Sequence, residues 1–300
     1  MPSNIVLSVI IRTYNESRYL DEILSAVFSQ NLDSNFDIEV VIVDSGSTDD
    51  TIKIAKTHNA RITTINKKDF TFGRSLNIGC EFSKGEYLIF ISGHCVPTNA
   101  DWLKNLVQPI IDRECDYTYG RQIGRDTTKY SEHQVFSKYF PLKSSVPNKG
   151  FFCNNANSAI SRGAWQNYKF DESLTGLEDM HLAKKIVESG NFIGYVATSV
   201  VYHIHNETWD QVKNRYEREA IALQRIMPEV HISILNMMNF IIIGIWTDLS
   251  RALNSRVFFK EFIGILKFRT LQFYGSYRGN HKSKKVSYDA KIKYYYPEIK

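Results

Sequence analysis

The chain has 300 residues, is 43% hydrophobic and carries a formal net charge of +5. These values fit one large globular domain, or one domain with a helical appendage, and allow a sizeable core. The four cysteines include no CxxC pair and lack the spacing of a disulfide framework, which excludes a disulfide-stapled scaffold and predicts a reduced compartment. The apolar run beginning at Ile5 is not preceded by a charged leader pattern, so we expect a cytoplasmic protein.

The positive charge is concentrated near the C-terminal end. Residues 277–300 contain seven Lys or Arg and two Asp or Glu, which accounts for the whole net charge and leaves residues 1–276 neutral. A neutral body argues against nucleic acid as a partner, and a basic tail favours an anionic surface as its neighbour. The alternative is a solvated tail that only keeps the protein soluble.

The first 112 residues alternate strands and helices. Short runs of β-branched and other apolar residues predict buried strands, and apolar residues at helical spacing predict the helices between them. The strands are expected at 5–11, 38–43, 60–65 and 87–91. The order β-α-β-α-β-α-β-α predicts an α/β fold with a Rossmann-like, doubly wound, mostly parallel sheet.

Polar residues follow three of these strands. The loops 12–17, 44–49 and 92–97 should meet at the carboxyl edge of the sheet, where open α/β sheets bind ligands. A nucleotide would suit this edge, because Tyr14 could stack on a base and Asp44 could accept from ribose or base. Each residue could instead serve only its own turn, but three such loops in one array favour a site.

The alternation loosens after residue 113. Residues 151–161 read as a strand-like segment that contains three amide side chains, Asn154, Asn155 and Asn157. Amides crowded into such a segment indicate the wall of a site, because in a core each would need a polar partner. Structural amides that brace a loop are the alternative.

Two apolar helices are predicted near the C-terminal end, at 232–246 and 257–274. The first would reach roughly 22 Å, short of the roughly 30 Å hydrocarbon core of a bilayer, so we expect no transmembrane span. Beside the basic tail, the pair would suit a membrane interface. Packing on the body or on a second subunit is the alternative.

Four sequence motifs resemble family 2 glycosyltransferases of the GT-A fold. They are SVIIRTYNE at 8–16, VIVDSGSTDDT at 41–51, GEYLIFI at 85–91 and GLEDMHL at 176–182, the last resembling the family's Glu-Asp motif. The resemblance covers roughly residues 5–225, and the motifs are specific in combination. The GxGxxG dinucleotide fingerprint is absent after the first strand, which counts against a dehydrogenase.

The resemblance implies an inverting transfer of a sugar from a nucleoside diphosphate to a hydroxyl group. Such a displacement needs a base for the acceptor proton and positive charge for the leaving diphosphate. Asp179 matches the family's base position, and Glu178 precedes it. A Glu-Asp pair at a helix start can also be a cap, but the preceding Gly-Leu favours the catalytic role.

The resemblance also implies a division of the chain. Residues 1–228 would form the GT-A domain, with 1–112 as its nucleotide-binding half and 113–228 as its acceptor and catalytic half. Residues 229–276 would be an apolar helical extension, and 277–300 the basic tail.

The chain departs from the family at the end of the fourth strand. Ser92, Gly93 and His94 stand where the family has Asp-x-Asp, whose second aspartate binds a divalent ion. A neutral imidazole suits Mn²⁺ better than Mg²⁺. Several GT-A enzymes complete the metal site with a later histidine, and His203 or His205 stands at that place. We expect a metal held by His94 and one of these two.

Two other roles for His94 remain open. A protonated His94 could neutralise the diphosphate without a metal, together with Arg74 or Arg121. Alternatively, its ring could only hydrogen-bond the backbone.

The resemblance also indicates the donor and acceptor residues. Ser45 stands where relatives that bind uracil carry a second acid, and with Asp69–Gly73 it resembles rhamnosyltransferase-like members. A deoxythymidine-diphosphate sugar is therefore a candidate donor beside a UDP-sugar. The expected nucleotide-binding residues are Arg12, Thr13, Tyr14, Glu16, Asp44, Ser45, Arg74, Ser92, Gly93 and His94. The expected sugar or acceptor residues are Asn154, Asn155, Asn157 and Trp209.

These features predict a glycosyltransferase of surface polysaccharide or glycolipid synthesis. Its partners would be a nucleotide-diphosphate sugar and a saccharide or lipid-linked acceptor, with no nucleic acid. Residues 232–300 would contact the inner face of the membrane peripherally or form a homo-oligomer. The alternative is a catalytically silent sugar-nucleotide-binding or scaffold subunit, suggested by the missing aspartates. The retained Glu178–Asp179 pair argues against it.

Overall fold

A computed structural model describes residues 4–282 and 294–296. The predicted basic tail therefore lies mostly outside the described residues. Two compact units divide the chain. The first comprises residues 4–125, 139–173 and 178–204. The second comprises residues 126–138, 174–177, 205–282 and 294–296.

The described strands form one nine-stranded sheet, which belongs to the first unit. Its path runs β3-β2-β1-β4-β8-β6-β9-β5, and β7 pairs with β9. The strands are β1 (Ile5–Thr13), β2 (Phe36–Asp44), β3 (Arg61–Thr64), β4 (Tyr87–Ser92), β5 (Cys95–Pro97), β6 (Tyr117–Ile123), β7 (Ser145–Asn148), β8 (Asn157–Ser161) and β9 (Ile193–His203).

Helices connect the strands and make up most of the second unit. Those before β9 are α1 (Ser17–Phe28), α2 (Thr51–Thr57), α3 (Phe72–Phe82), α4 (Trp102–Ile111), α5 (Tyr130–Tyr139), α6 (Arg162–Tyr168) and α7 (Glu178–Glu188). Those after it are α8 (Trp209–Ile226), α9 (Ile234–Asn254) and α10 (Phe258–Asn280).

The first four strands pair in parallel, as the sequence predicts. Their register places Thr13 opposite Asp44, and Arg12 opposite Ser92, so the polar strand ends meet at one edge. After residue 113 the pairing is mixed, because β8 lies antiparallel between β4 and β6. The predicted α/β GT-A class is confirmed, and β4 lies where the parallel half meets the mixed half.

Helix α1 shows why the parallel half is stable. Leu20, Ile23, Leu24 and Val27 recur at helical spacing and are fully buried against the sheet, and burying such a side chain stabilises the fold by roughly 1.5–3 kcal/mol. The packed layer fixes β1, and with it the loop after Thr13, in place.

One segment differs from its predicted form. Only Asn157–Ser161 of the strand-like segment 151–161 is a strand, and Asn154 and Asn155 lie in the irregular chain before it. Polar side chains bonded to nearby backbone groups compete with a sheet ladder, which explains the late start of the strand.

In the second unit, α8 and α10 pack closely. A Cβ atom on Gly279 would lie 2.1 Å from the carbonyl oxygen of Glu217, so only glycine permits this approach. Helix α9 extends beyond the predicted residue 246, because Asp248 is buried in an ion pair with Arg269 of α10 (Nε···Oδ2 2.7 Å). No helix within the described ranges combines the length and apolarity needed to cross a bilayer.

Candidate active site

Asp44 organises the loop after β2. Its carboxylate is buried and accepts hydrogen bonds from Thr13 Oγ1 (2.9 Å), Ser47 Oγ (2.5 Å) and the backbone N–H groups of Gly46 and Ser47 (both 2.9 Å). Ser45 Oγ donates to the Thr13 carbonyl at 3.2 Å. The carboxylate therefore holds the loop in shape, and any contact with a nucleotide would be additional to this role.

The loops after β1 and β2 are joined to each other. The backbone N–H of Asn15 donates to Ser47 Oγ (2.9 Å), and Asn15 Oδ1 accepts from the backbone N–H of Thr48 (2.8 Å). The backbone N–H of Glu16 donates to Thr51 Oγ1 at 2.8 Å. These bonds bring the predicted nucleotide-binding loops together at the carboxyl edge of the sheet.

Tyr14 and two arginines lie at the same edge. Lys67 Nζ donates to the Tyr14 hydroxyl at 2.7 Å and lies 4.2 Å from its ring centroid. The Arg12 guanidinium lies over the Phe72 ring at 4.7 Å. Arg74, on α3, is half exposed and lies 4.0 Å from Glu172.

The Glu178–Asp179 pair begins α7 and is buried. Asp179 Oδ2 accepts from the backbone N–H of Asn155 and Oδ1 from that of Met180, both at 2.8 Å. Burial, followed by the negative charge of Glu178, raises the pKa of Asp179 to about 7, although both N–H bonds and Arg12 oppose the shift. A carboxylate held in this way retains a lone pair on each oxygen and can accept a proton near neutral pH.

Asn155 lies beside Asp179 and has an unusual amide. Its Oδ1 accepts from Tyr117 OH (2.5 Å) and Ser158 Oγ (2.6 Å), which fixes the direction of the side chain. Asn155 is 3% exposed, and its Nδ2 has no hydrogen-bond partner among the described residues. A buried donor without a partner costs stability, so this NH₂ group is a candidate contact for a substrate hydroxyl.

The other two amides have internal partners. Asn154 Oδ1 accepts from Gln122 Nε2 (3.1 Å) and the backbone N–H of Ala156 (3.0 Å). Asn157 is fully buried, donates to the Arg121 and Ser199 carbonyls and accepts from Trp102 Nε1. Asn157 therefore braces the sheet, and both ends of its amide already have partners within the protein.

His94 and His203 lie together in the first unit. Their rings stack with centroids 5.2 Å apart and planes at 27°, and their ligand nitrogens lie within 4.8 Å of one another. His94 Nδ1 lies 3.1 Å from Glu16 Oε1, and His203 Nδ1 lies 2.6 Å from Gln122 Oε1. Two imidazoles at this separation can supply nitrogen ligands to a transition-metal ion, whereas Mg²⁺ prefers oxygen ligands.

Ser92 and Gly93 lead into this pair. Ser92 ends β4, and its backbone N–H donates to the Ala156 carbonyl at 3.4 Å. A Cβ atom on Gly93 would lie 2.7 Å from Glu16 Cγ, so glycine allows the Glu16 side chain to approach His94.

The remaining predicted residues, His205 and Trp209, belong to the second unit. His205 Nδ1 lies 2.7 Å from Glu132 Oε1, and Arg215 Nη2 lies 2.5 Å from the same oxygen. Burial alone would raise the pKa of Glu132, but the charges and hydrogen bonds of Arg215 and His205 hold it well below its usual range. Lys129 Nζ lies 5.3 Å from the Trp209 ring.

The sequence analysis missed Gln122 and Glu132. Alternation along β6 offers a weak signal for Gln122, because it places this residue on the same face as Thr118 and Gly120. Glu132 carries no comparable signal, because its partners His205 and Arg215 lie more than 70 residues away.

Comparison with known proteins agrees with the fold. The model of glycosyl transferase family 2 matches residues 8–168, more than half of the chain. The O-antigen chain rhamnosyltransferase RfbN of Salmonella typhimurium is 28% identical to this chain over 223 residues. The O-antigen chain rhamnosyltransferase WbaN of Salmonella anatum is 27% identical to this chain over 228 residues. These alignments cover 70% and 72% of this chain and 70% of each relative.

A solved structure extends the likeness to nearly the whole chain. The mannosyltransferase PcManGT of Pyrobaculum calidifontis, in complex with GDP-Man and Mn²⁺, matches with a TM-score of 0.60 at 16% identity, covering 99% of this chain and 89% of that one. The motifs at the strand ends, the family match and this shared GT-A fold agree, and the protein belongs to glycosyl transferase family 2.

Proposed function

We propose that this protein is an inverting glycosyltransferase that moves a deoxyhexosyl or hexosyl group from a nucleoside-diphosphate donor to a hydroxyl group. The supporting observation is Asp179, a buried carboxyl group with a pKa of about 7 that two backbone N–H groups orient. Beside it lies Asn155, whose Nδ2 has no hydrogen-bond partner among the described residues. A general base is most effective when its pKa lies near the working pH. A scaffold protein has no use for such a group.

In the proposed reaction, Asp179 takes the proton of the acceptor hydroxyl group. The hydroxyl oxygen attacks the anomeric carbon from the face opposite the diphosphate, a new glycosidic bond forms, and the bond from that carbon to the diphosphate oxygen breaks. The nucleoside diphosphate leaves with the bonding pair. Asn155 Nδ2 would donate to a hydroxyl group of sugar or acceptor, and the loops after β1 and β2 would hold the nucleotide.

A divalent ion fits the histidine pair, and His94 and His203 would hold it. Such an ion would supply positive charge for the leaving diphosphate. The two imidazole ligands favour Mn²⁺ over Mg²⁺. Mn²⁺ accompanies GDP-Man in PcManGT, which supports this part of the proposal.

The relatives suggest the donor and the pathway class. RfbN and WbaN are O-antigen chain rhamnosyltransferases. Ser45 leaves a deoxythymidine-diphosphate sugar as a candidate donor beside a UDP-sugar. We therefore place the chain in surface polysaccharide synthesis, with an activated rhamnose as the first donor to test and a saccharide or lipid-linked acceptor.

The direct test is a transfer assay with dTDP-rhamnose, UDP-sugars and GDP-sugars, with Mn²⁺, with Mg²⁺ and with chelator. The proposal predicts release of one nucleoside diphosphate per sugar transferred and a product of inverted anomeric configuration by NMR. Retention of configuration would contradict it. Binding of a nucleotide sugar with neither hydrolysis nor transfer would favour the silent subunit.

We further propose that the apolar face of α9 contacts a membrane surface. Leu235, Ile242 and Trp246 lie on one side of the helix and are 74%, 63% and 74% exposed. Residues 234–247 contain no charged side chain, whereas residues 277–300 carry the entire net positive charge. An apolar face followed by basic residues suits an anionic bilayer.

Vesicle flotation tests this assignment. The wild type should float with vesicles that contain anionic lipid and should not float with vesicles that lack it. The double variant with Ile242→Glu and Trp246→Glu should not float with either kind of vesicle. Leu142→Glu, at an exposed apolar residue of the first unit, is the matched control. A dimer in light scattering that Ile242→Glu dissociates, without vesicle binding, would assign the face to a second copy instead.

A further inference from the structure

We propose that Glu16 and Gln122 are positioning residues that hold both histidines of the site with the proton on Nδ1, so that both rings present the Nε2 lone pair to a metal ion. The inference rests on the metal-dependent form of the proposed function and concerns the first unit alone. In this proposal Glu16 and Gln122 do not bind the ion; they determine which nitrogen of each histidine is free of a proton.

The His203 tautomer follows from the directions of two amides. The backbone N–H of Ala156 donates to Asn154 Oδ1 at 3.0 Å, which identifies the oxygen end of that amide. Gln122 Nε2 donates to the same oxygen at 3.1 Å, so Gln122 turns its Oε1 toward His203 Nδ1 at 2.6 Å. An amide oxygen only accepts. Nδ1 of His203 must therefore carry the proton, and its lone pair lies on Nε2.

Glu16 imposes the same tautomer on His94. Its Oε1 lies 3.1 Å from Nδ1, and a carboxylate accepts hydrogen bonds without donating any. Glu16 is the N-cap residue of α1, but its side chain makes no capping hydrogen bond. The carboxylate is therefore directed to the histidine, and the absence of a Cβ atom on Gly93 makes room for it.

The two constraints have a joint consequence. The rings of His94 and His203 stack with centroids 5.2 Å apart, and one ring nitrogen of each lies within 4.8 Å of the other. With the proton of each ring on Nδ1, the nitrogen that each ring can offer to an ion is Nε2. Metal-binding histidines commonly donate their second N–H to a carboxylate or carbonyl group, which orients the ring and raises its basicity.

The tautomers can be measured directly by ¹⁵N NMR on the metal-free protein with labelled histidine, at pH 8, where an ordinary imidazole is neutral. The chain has eight histidines, each assigned by substitution with asparagine. We expect Nδ1–H for His94 and His203. His58 is an internal contrast, because its Nε2 faces Asp21 Oδ1 at 2.8 Å and should carry the proton. Nε2–H at either site histidine would overturn the proposal.

Variants test the positioning role separately from catalysis. Glu16→Ala should remove the tautomer preference of His94, and Gln122→Met should remove that of His203. Each variant should also bind Mn²⁺ roughly 10–100-fold more weakly, as measured by electron paramagnetic resonance. Gln122→Glu keeps an acceptor and should retain the His203 tautomer. Gln122 is 1% exposed, so Gln122→Met could fail to fold. In that case Glu16→Ala, at a partly exposed position, provides the test.

Mn²⁺ binding that is unchanged in Glu16→Ala, or that is absent in the wild type, would overturn the proposal. Neither readout involves sugar transfer. A failure of the proposed function would be seen separately, as a lack of donor turnover in the wild type.

Discussion

Arg12 Nη1 lies 3.3 Å from Glu178 Oε1, across 166 positions of sequence. The pair joins the end of β1 to the first residue of α7, and the side chains are 17% and 5% exposed. Asp179 follows Glu178 directly, and the positive charge of Arg12 lowers the pKa of Asp179 against the larger, opposite effects of burial and Glu178. The carboxyl edge of the sheet and the proposed base are therefore electrostatically coupled.

Replacing Arg12 by methionine should impair catalysis by raising the pKa of Asp179. With the positive charge gone, the acid limb of the pH profile of kcat/KM should move to higher pH. Because a buried Glu178 is also left without its partner, we expect roughly a 10–100-fold loss at pH 7, equivalent to about 1.4–2.7 kcal/mol.

Arg18→Met is the matched control, because Arg18 is exposed on α1 and its loss changes the net charge equally. The coupling would be contradicted by an unshifted acid limb in Arg12→Met or by an equal shift in the control.

Asp179→Asn should abolish most of the transfer. The loss of a general base typically costs roughly 10²–10⁴-fold in rate. In the wild type, kcat/KM should rise with pH up to about 7 as the Asp179 carboxyl group ionises, and then level off. Glu188→Gln, at the exposed end of the same helix, should leave the profile unchanged. If Asp179→Asn kept a tenth or more of the wild-type rate, Asp179 would be excluded as the base.

The same carboxyl group should make stability depend on pH. In the unfolded chain it releases its proton near pH 4, whereas burial keeps it protonated in the folded chain up to about pH 7. The folded chain binds more protons between these values, so the free energy of unfolding should fall as the pH rises from about 4 to about 7. Urea unfolding at pH 5 and 7 should show a smaller decrease for Asp179→Asn than for the wild type.

Asp44→Ala should disorganise the loop between β2 and α2. The carboxylate accepts from two backbone N–H groups and two hydroxyl groups, and each buried donor left without a partner costs roughly 1–3 kcal/mol. We expect a lower melting temperature and the loss of the thermal shift produced by a nucleoside diphosphate. Asp50→Ala is the control, because its exposed side chain makes no capping bond. If a nucleoside diphosphate raised the melting temperature of Asp44→Ala as much as that of the wild type, the assignment of this loop to nucleotide binding would be contradicted.

Glu132→Gln should destabilise the second unit. The buried carboxylate accepts from Arg215 Nη2 at 2.5 Å, and a hydrogen bond to a charged group contributes roughly 1.5–3 kcal/mol. Arg215 keeps Glu207 as a second carboxylate partner (Nη2···Oε2 2.8 Å), so its charge is not left unpaired. Because the pKa of Glu132 is lowered on folding, its contribution is present above the unfolded value near pH 4.3 and is lost at lower pH. Urea unfolding at pH 7 should show a lower free energy of unfolding for Glu132→Gln than for the wild type. Glu229→Gln, at an exposed position, should leave the free energy of unfolding unchanged.

Local sequence was sufficient to predict the parallel half of the sheet and the edge at which its polar loops meet. β-Branched runs such as Val40–Val43 specify buried strands, and parallel strands place their carboxyl ends on one side. These patterns predicted that the loops after the first two strands meet, whereas the register that pairs Thr13 with Asp44 was given by the structure. The family motifs likewise identified the Glu178–Asp179 pair, and the family assignment has been confirmed.

Pairings between distant residues were decided only by the tertiary structure. Gln122 meets His203 across 81 positions, and Asn155 meets Asp179 across 24. The sequence left His203 and His205 equivalent, whereas the fold stacks His203 on His94 and bonds His205 to Glu132. The pKa of Asp179 also depends on burial. Strand periodicity is a property of neighbouring residues, but desolvation and hydrogen bonding depend on which distant groups the packed chain brings together.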